Sequence, residues 1–125
     1  MPPKLLIVDD EAYIRLLIGQ ALEDFEDQGV QILTASDGQE ALDTIRVEKP
    51  ALVFLDVMMP KLNGFDVCAA VKADPQLKST CIVLITAKGQ EEDRLRGDEV
   101  GADMFMTKPF DPDELTGMVA SILEL

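Results

Sequence analysis

The sequence contains no histidine. That absence removes Ser-His-Asp machinery, zinc sites with imidazole ligands and any phosphohistidine carried by this chain. Only two cysteines occur, Cys68 and Cys81, at no metal-binding or redox spacing. Both therefore read as buried thiols of a cytosolic protein. Basic charge is scarce, with 11 Lys and Arg against 24 Asp and Glu and a formal net charge of −13. A basic patch supplies most nucleic-acid affinity, so this balance argues against direct nucleic-acid contact and leaves room for divalent cations or basic partners. No apolar run approaches the roughly 20 residues of a membrane helix, and Met1-Pro2-Pro3-Lys4 leads into a short strand, not a secretory leader. Repeats, low-complexity segments and linkers are also missing. The expectation is one cytoplasmic domain without membrane contact, since 125 residues suit one compact core.

What is present is an alternation of apolar runs and amphipathic stretches. Leu5 to Val8 reads as a buried strand ending in Asp9-Asp10-Glu11. Ile14, Leu17, Ile18, Ala21, Leu22 and Phe25 follow the i, i+3, i+4, i+7 rhythm of one amphipathic helix, closed by Gly29. Val30 to Ala35 is a second strand, and Ser36-Asp37-Gly38-Gln39 has capping-box spacing for a helix to about Val47. Ala51 to Asp56 is a third strand, apolar until its final carboxylate. Asn63-Gly64-Phe65-Asp66 reads as a cap and first turn, with a helix to about Ala73 before Asp74-Pro75 breaks it.

Cys81 to Ile85 forms a fourth strand, followed by a polar helix over about Glu91 to Val100. That helix has only Leu95 and Val100 as apolar anchors, so it is the least firmly held. Met104 to Met106 is the fifth strand. Asp111 then caps a last helix with Pro112 at its first position and Leu115, Met118, Val119 and Ile122 as its buried stripe. Five strand–helix units with short loops predict an α/β fold: a doubly wound, five-stranded parallel sheet with five helices on both faces. The flavodoxin-like order 2-1-3-4-5 is one common solution and places strands 1 and 3 beside the switch point.

In that order Asp9, Asp10, Asp56, Thr86 and Lys108 converge on one sheet edge. Each has an ordinary reading: Asp9, Asp10 and Asp56 as helix caps, Thr86 as a turn residue, Lys108 as a solvated lysine, and Met58, Met59 and Phe105 as packing. Their coincidence at successive strand ends favours a shared site. Neighbouring carboxylates repel, and a hard divalent cation such as Mg2+ relieves this. The lack of histidine and of suitably spaced cysteine argues against a zinc or copper site. A carboxylate can also act as a nucleophile toward phosphorus, with Lys108 and Thr86 steadying the transferred oxygens.

Leu6 to Glu11 (LIVDDE), Phe54 to Pro60 (FLDVMMP), Asn63-Gly64, Ile85-Thr86-Ala87 and Thr107 to Phe110 (TKPF) together resemble the receiver domain of two-component response regulators, of the chemotaxis-regulator type. The resemblance spans essentially the whole chain, in order. It implies that Asp56 is the phosphoacceptor and that Asp9, Asp10, Asp56 and the backbone carbonyl of Met58 hold Mg2+, with Mn2+ as a substitute. Lys108 would pair with the phosphoryl group, Pro109 would follow a cis peptide, and Thr86 and Phe105 would form the switch pair. The implied partners are a sensor histidine kinase or histidine phosphotransfer protein and an unnamed downstream target. Output, or homodimerisation, would use the fourth helix, fifth strand and fifth helix. Such a chain is a signalling domain, not an enzyme, although it assists its own phosphorylation and dephosphorylation. Residues 1–125 would be one receiver domain with no effector domain in this chain. Phe105 stands where tyrosine is common, and Met58 and Lys88 occupy positions that tune phosphoryl lifetime.

Two other classes use parts of this pattern. An aspartyl-phosphate hydrolase of the haloacid dehalogenase type wants a second acid two residues after its nucleophile, where this chain has Met58. A nucleotide- or flavin-binding module of the same topology wants a phosphate loop after the first strand, where Asp9-Asp10-Glu11 repels phosphate.

Overall fold

The computed structural model describes residues 3–59, 61–87 and 91–125. Five parallel strands, β1 (Lys4–Val8), β2 (Gln31–Ala35), β3 (Leu52–Asp56), β4 (Cys81–Ala87) and β5 (Met104–Lys108), lie in the order β2-β1-β3-β4-β5. This is the flavodoxin-like order expected from the alternation. Every residue of β3 is buried, as a central strand covered on both faces requires. Edge strand β2 alternates less cleanly and leaves Gln31 and Thr34 exposed.

The helices are α1 (Ala12–Ala21), α2 (Glu23–Asp27), α3 (Gly38–Glu48), α4 (Gly64–Ala73), α5 (Glu91–Glu99) and α6 (Pro112–Leu123). Among the described residues there are thus six, not the expected five. The first expected helix is interrupted at Leu22, whose N–H is shared between the carbonyls of Ile18 and Gly19 at 3.1 and 3.2 Å. Shared bonds of this kind mark helix ends, and Gly19 gives the last turn of α1 little intrinsic preference to continue. Leu22 and Phe25 stay buried across the break, so the apolar rhythm read there was sound although the helix is not continuous. The expected fourth and fifth helices are α5 and α6.

Caps explain most of the boundaries. Asn63 and Asp111 accept the backbone N–H of Asp66 and Asp113. For α3 the cap is Asp37, which accepts from Glu40 N at 2.8 Å; Ser36, one residue earlier, instead donates to the Glu40 carboxylate. Gly101 closes α5 with a φ of +89°, a conformation that side chains disfavour.

Two cores flank the sheet. Leu42 and Ile45 of α3 and Phe65, Val67, Cys68 and Val71 of α4 pack with Leu6, Val8, Val53, Leu55 and Leu84 on one face. Ile18, Leu22, Phe25, Leu115 and Val119 cover Leu5, Ile7, Phe54, Val83 and Ile85 on the other. Cys68 is buried, whereas Cys81, expected to be buried too, is half-exposed at the start of β4. Leu95, expected to anchor α5, is 65% exposed.

Candidate functional site

The site forms where β1, β3 and β5 end. Apolar Leu5 to Val8 carry the chain to Asp9, which is fully buried, and to Asp10, which is exposed. Neither is the N-cap of α1; that position is Glu11, which makes no side-chain cap bond. Asp9 Oδ1 accepts the Glu11 N–H at 2.9 Å, and Arg15 Nη1 donates to the Asp9 carbonyl at 2.6 Å. Asp56 closes β3 at 4% exposure, and its Oδ1 accepts weakly from Met58 N at 3.4 Å. It caps no helix, since Asn63 caps α4.

Lys108 brings the two buried carboxylates together. Its Nζ lies 3.0 Å from Asp9 Oδ2 and 3.2 Å from Asp56 Oδ2. Burial and the neighbouring negative charge of Asp9 push the Asp56 carboxyl up to about 6, although Lys108 works in the opposite direction. The Lys108 ammonium is opposed by burial, but its bond to Asp9 and the charge of Asp56 prevail and raise its pKa. The peptide between Lys108 and Pro109 is cis.

Carboxylate oxygens of Asp9, Asp10 and Asp56 lie within 4.8 Å of one another. All are hard oxygen donors, and burial together with the Asp9 charge holds the Asp56 carboxyl above its ordinary value despite Lys108. This set fits a hexacoordinate oxygen-seeking ion such as Mg2+ or Mn2+.

Thr86, at the end of β4, is 2% exposed and pairs in register with Thr107. Phe105 pairs with Leu84 and packs on the α3–α4 face of the sheet. Because side chains alternate along a strand, Thr86 shares the face of Leu84, whereas Asp56 and Lys108 share the parity of Phe54 and Met106 on the opposite face. The carboxylates and lysine thus belong to one side of the sheet edge, and Thr86 with Phe105 to the other. Met58 is 75% exposed beside Asp56. Lys88 and Pro60 lie outside the described residues.

Two neighbours were missed in the sequence. Gly64 lets α4 sit against the end of β3, since a Cβ there would lie 2.6 Å from the Asp56 carbonyl oxygen; the Asn-Gly pair marked a turn but not this contact. Beside Lys108, Ile14, Leu17, Pro109, Phe110 and Pro112 line an open, mainly apolar pocket of about 440 Å³. It joins residues about 95 apart in the chain, so no local pattern announced it.

A buried acidic pocket bridged by lysine, at the switch point of a 2-1-3-4-5 sheet, defines a receiver-type α/β protein. Residues 5–120 match the family model for the response regulator receiver domain, and the chain belongs to that family. It is 45% identical over 123 residues to the alkaline phosphatase synthesis transcriptional regulatory protein PhoP of Bacillus subtilis, covering 98% of this chain and 49% of that protein. It is 39% identical to response regulator Rre1 of Synechocystis, covering 98% of this chain and 52% of Rre1. The chain spans about half the length of these relatives. Among solved structures, chemotaxis response regulator CheY4 of Vibrio cholerae superposes with a TM-score of 0.85 at 33% identity, covering 98% of this chain and 99% of CheY4. The receiver domain of NtrX from Brucella abortus gives 0.82 at 34% identity, over 96% and 98%. Membership makes this a two-component signalling chain, and no helix among the described residues is long and apolar enough to cross a membrane.

Proposed function

We propose that this chain is a phosphorylation switch in which Asp56 accepts a phosphoryl group from the phosphohistidine of a sensor kinase or phosphotransfer protein. The observation that carries the reading is the Lys108 bridge to Asp9 and Asp56, which gathers two buried acids and a cation at the end of β3. One Asp56 carboxylate oxygen attacks phosphorus and forms the O–P bond. The P–N bond to the donor imidazole breaks, and its electron pair stays on the imidazole nitrogen, which then takes up a proton. Lys108 stands where the transferred oxygens gain negative charge, and Thr86 offers a hydroxyl on the other side of the edge. Asp9, Asp10, Asp56 and the Met58 carbonyl would hold Mg2+ or Mn2+, which when bound neutralises charge on the phosphoryl oxygens. Lys108 and the Met58 N–H also hold Asp56 in place before the donor arrives.

The added phosphoryl charge biases a two-state equilibrium, with Thr86 and Phe105 as the switch pair. The output face is α5–β5–α6, where Leu95 and Met104 are exposed apolar residues suited to a protein target or a second copy. The net charge of −13 directs any nucleic-acid contact to other proteins or segments. A cytoplasmic location and a single receiver domain over residues 1–125 complete the proposal. Incubation with Mg2+ and acetyl phosphate, followed by intact mass measurement, tests it. One added phosphoryl mass is expected, absent from Asp56→Asn and without Mg2+. A folded protein that gains no mass from this donor or from a phosphorylated kinase contradicts the reading.

A further inference from the structure

Among its described side chains, helix α5 has no inward apolar stripe: Leu95 is exposed, and the buried position is Gly97. A Cβ built on Gly97 would lie 2.4 Å from Cε1 and 2.8 Å from Cζ of Phe105, and 2.9 Å from Leu84 Cδ1. Carbon atoms pack at about 3.5–4.0 Å, so the missing side chain leaves a notch that the edge of the Phe105 ring fills. One turn earlier, the Arg94 guanidinium lies over the same ring, 5.5 Å from its centroid. Two residues on, Arg96 lies 4.7 Å from the centroid of Phe65. Phe65 follows Gly64, whose backbone packs against the Asp56 carbonyl. Helix α5 therefore touches both Phe105 and the first turn after the acidic strand end, through arginines and a glycine.

We propose that Gly97 and Arg94 are positioning residues that build the inward seat of Phe105, Gly97 as its floor and Arg94 as its lid. This rests on the reading of Asp56 as phosphoacceptor and of Thr86 with Phe105 as the switch pair. A methyl group at residue 97 cannot share the notch with the ring, because Leu84 Cδ1 would lie 2.9 Å from it as well. Alanine favours a helix more than glycine does, so packing against Phe105 and Leu84, not helix propensity, opposes the substitution. Loss of the Arg94 stack is the milder change, since an exposed cation–π contact shifts an equilibrium by about two- to fivefold.

The test follows the ring and the phosphoryl group separately. The whole chain is labelled with 4-fluorophenylalanine, and the Phe105 fluorine resonance is assigned by its loss in Phe105→Leu. Spectra are recorded with Mg2+, with and without acetyl phosphate, and intact mass is measured on the same samples. In Gly97→Ala the Phe105 resonance should move to a solvent-exposed position and remain there after the phosphoryl mass is gained. In Arg94→Ala the seated population should fall by about two- to fivefold, with Arg94→Lys retaining part of it. A Gly97→Ala protein of normal helicity whose Phe105 resonance matches wild type in both states overturns the proposal. If Gly97→Ala does not fold, an Arg94→Ala spectrum unchanged in both states overturns it, and the stated fall supports it. Wild-type protein that gains no phosphoryl mass refutes the underlying switch reading instead, and is told apart by mass alone.

Discussion

Lys108 on edge strand β5 reaches across β4 to Asp56 on β3, with 3.2 Å between Nζ and Oδ2. Strands lie about 4.8 Å apart, so the lysine spans two strand spacings, and the same ammonium meets Asp9 at 3.0 Å. One flexible cation therefore compensates two buried carboxylates, and the protein's pH, metal and transfer behaviour should follow from that arithmetic of charge.

Removing the cation should impair chemistry more than folding. In Lys108→Met the two acids keep their backbone contacts but lose charge compensation. Phosphoryl uptake from acetyl phosphate should slow by roughly 10- to 1,000-fold, the range for losing one electrostatic stabiliser. Quenched samples followed by intact mass give the rate; uptake within twofold of wild type would remove Lys108 from the mechanism.

The raised Asp56 pKa predicts a pH-dependent stability. Folding raises this carboxyl from its ordinary 3.8 to about 6, through burial first and the Asp9 charge second. A group that holds its proton more tightly when folded contributes stability that is fully present below about pH 4 and lost as pH rises through about 6. Without divalent cations, urea melts should therefore show Asp56→Asn gaining on wild type by roughly 1–3 kcal/mol between about pH 4 and pH 7. Comparing the two proteins cancels the carboxylates remote from the site. A difference that stays flat with pH would contradict the assignment.

Asp10 separates metal binding from structure. It is exposed and makes no side-chain hydrogen bond among the described residues, yet its carboxylate completes the acidic cluster. Asp10→Asn should leave the metal-free protein within about 0.5 kcal/mol of wild type. It should also abolish most of the rise in Tm that Mg2+ produces in wild type, because ligand stabilisation scales with affinity. Thermal melts with and without millimolar Mg2+ measure both effects, and an undiminished rise would place the ion elsewhere.

Under the proposed switch, the apolar pocket beside Lys108 is a surface that a protein phosphodonor approaching Asp56 would contact. Phe110→Ser should weaken transfer from a phosphorylated kinase by about tenfold or more, equivalent to a lost apolar contact of roughly 1.5 kcal/mol. Uptake from acetyl phosphate, which is too small to use the pocket, should stay within twofold. Equal losses with both donors would assign Phe110 to the site's architecture instead.

The strands and most helix boundaries were readable locally. Buried strands appear as apolar runs, and Asn63 and Asp111 stand where helix N-termini need acceptors. The break at Leu22 was not readable, because the apolar rhythm continues through it and only the backbone bond pattern changes. Leu95 likewise misled: an apolar residue on a polar helix reads as an anchor, but tertiary packing gave that role to Gly97. A glycine carries no apolar signal of its own, and its use depends on the ring that arrives from β5.

The residue types at the site, and their places at the ends of apolar runs, were determined by the sequence alone. Residue spacing along the chain restricts which groups lie at strand ends, because a parallel strand delivers its last residue to a single edge. What only the tertiary structure decided was which of them touch. Lys108 meets Asp9 and Asp56 across 99 and 52 residues of chain, while Thr86 and Phe105 fall on the opposite face through the alternation of β4 and β5. The Arg94–Phe105–Gly97 seat belongs to the same class. Distances of a few ångströms between remote residues follow from strand order, register and packing, and no local propensity encodes them.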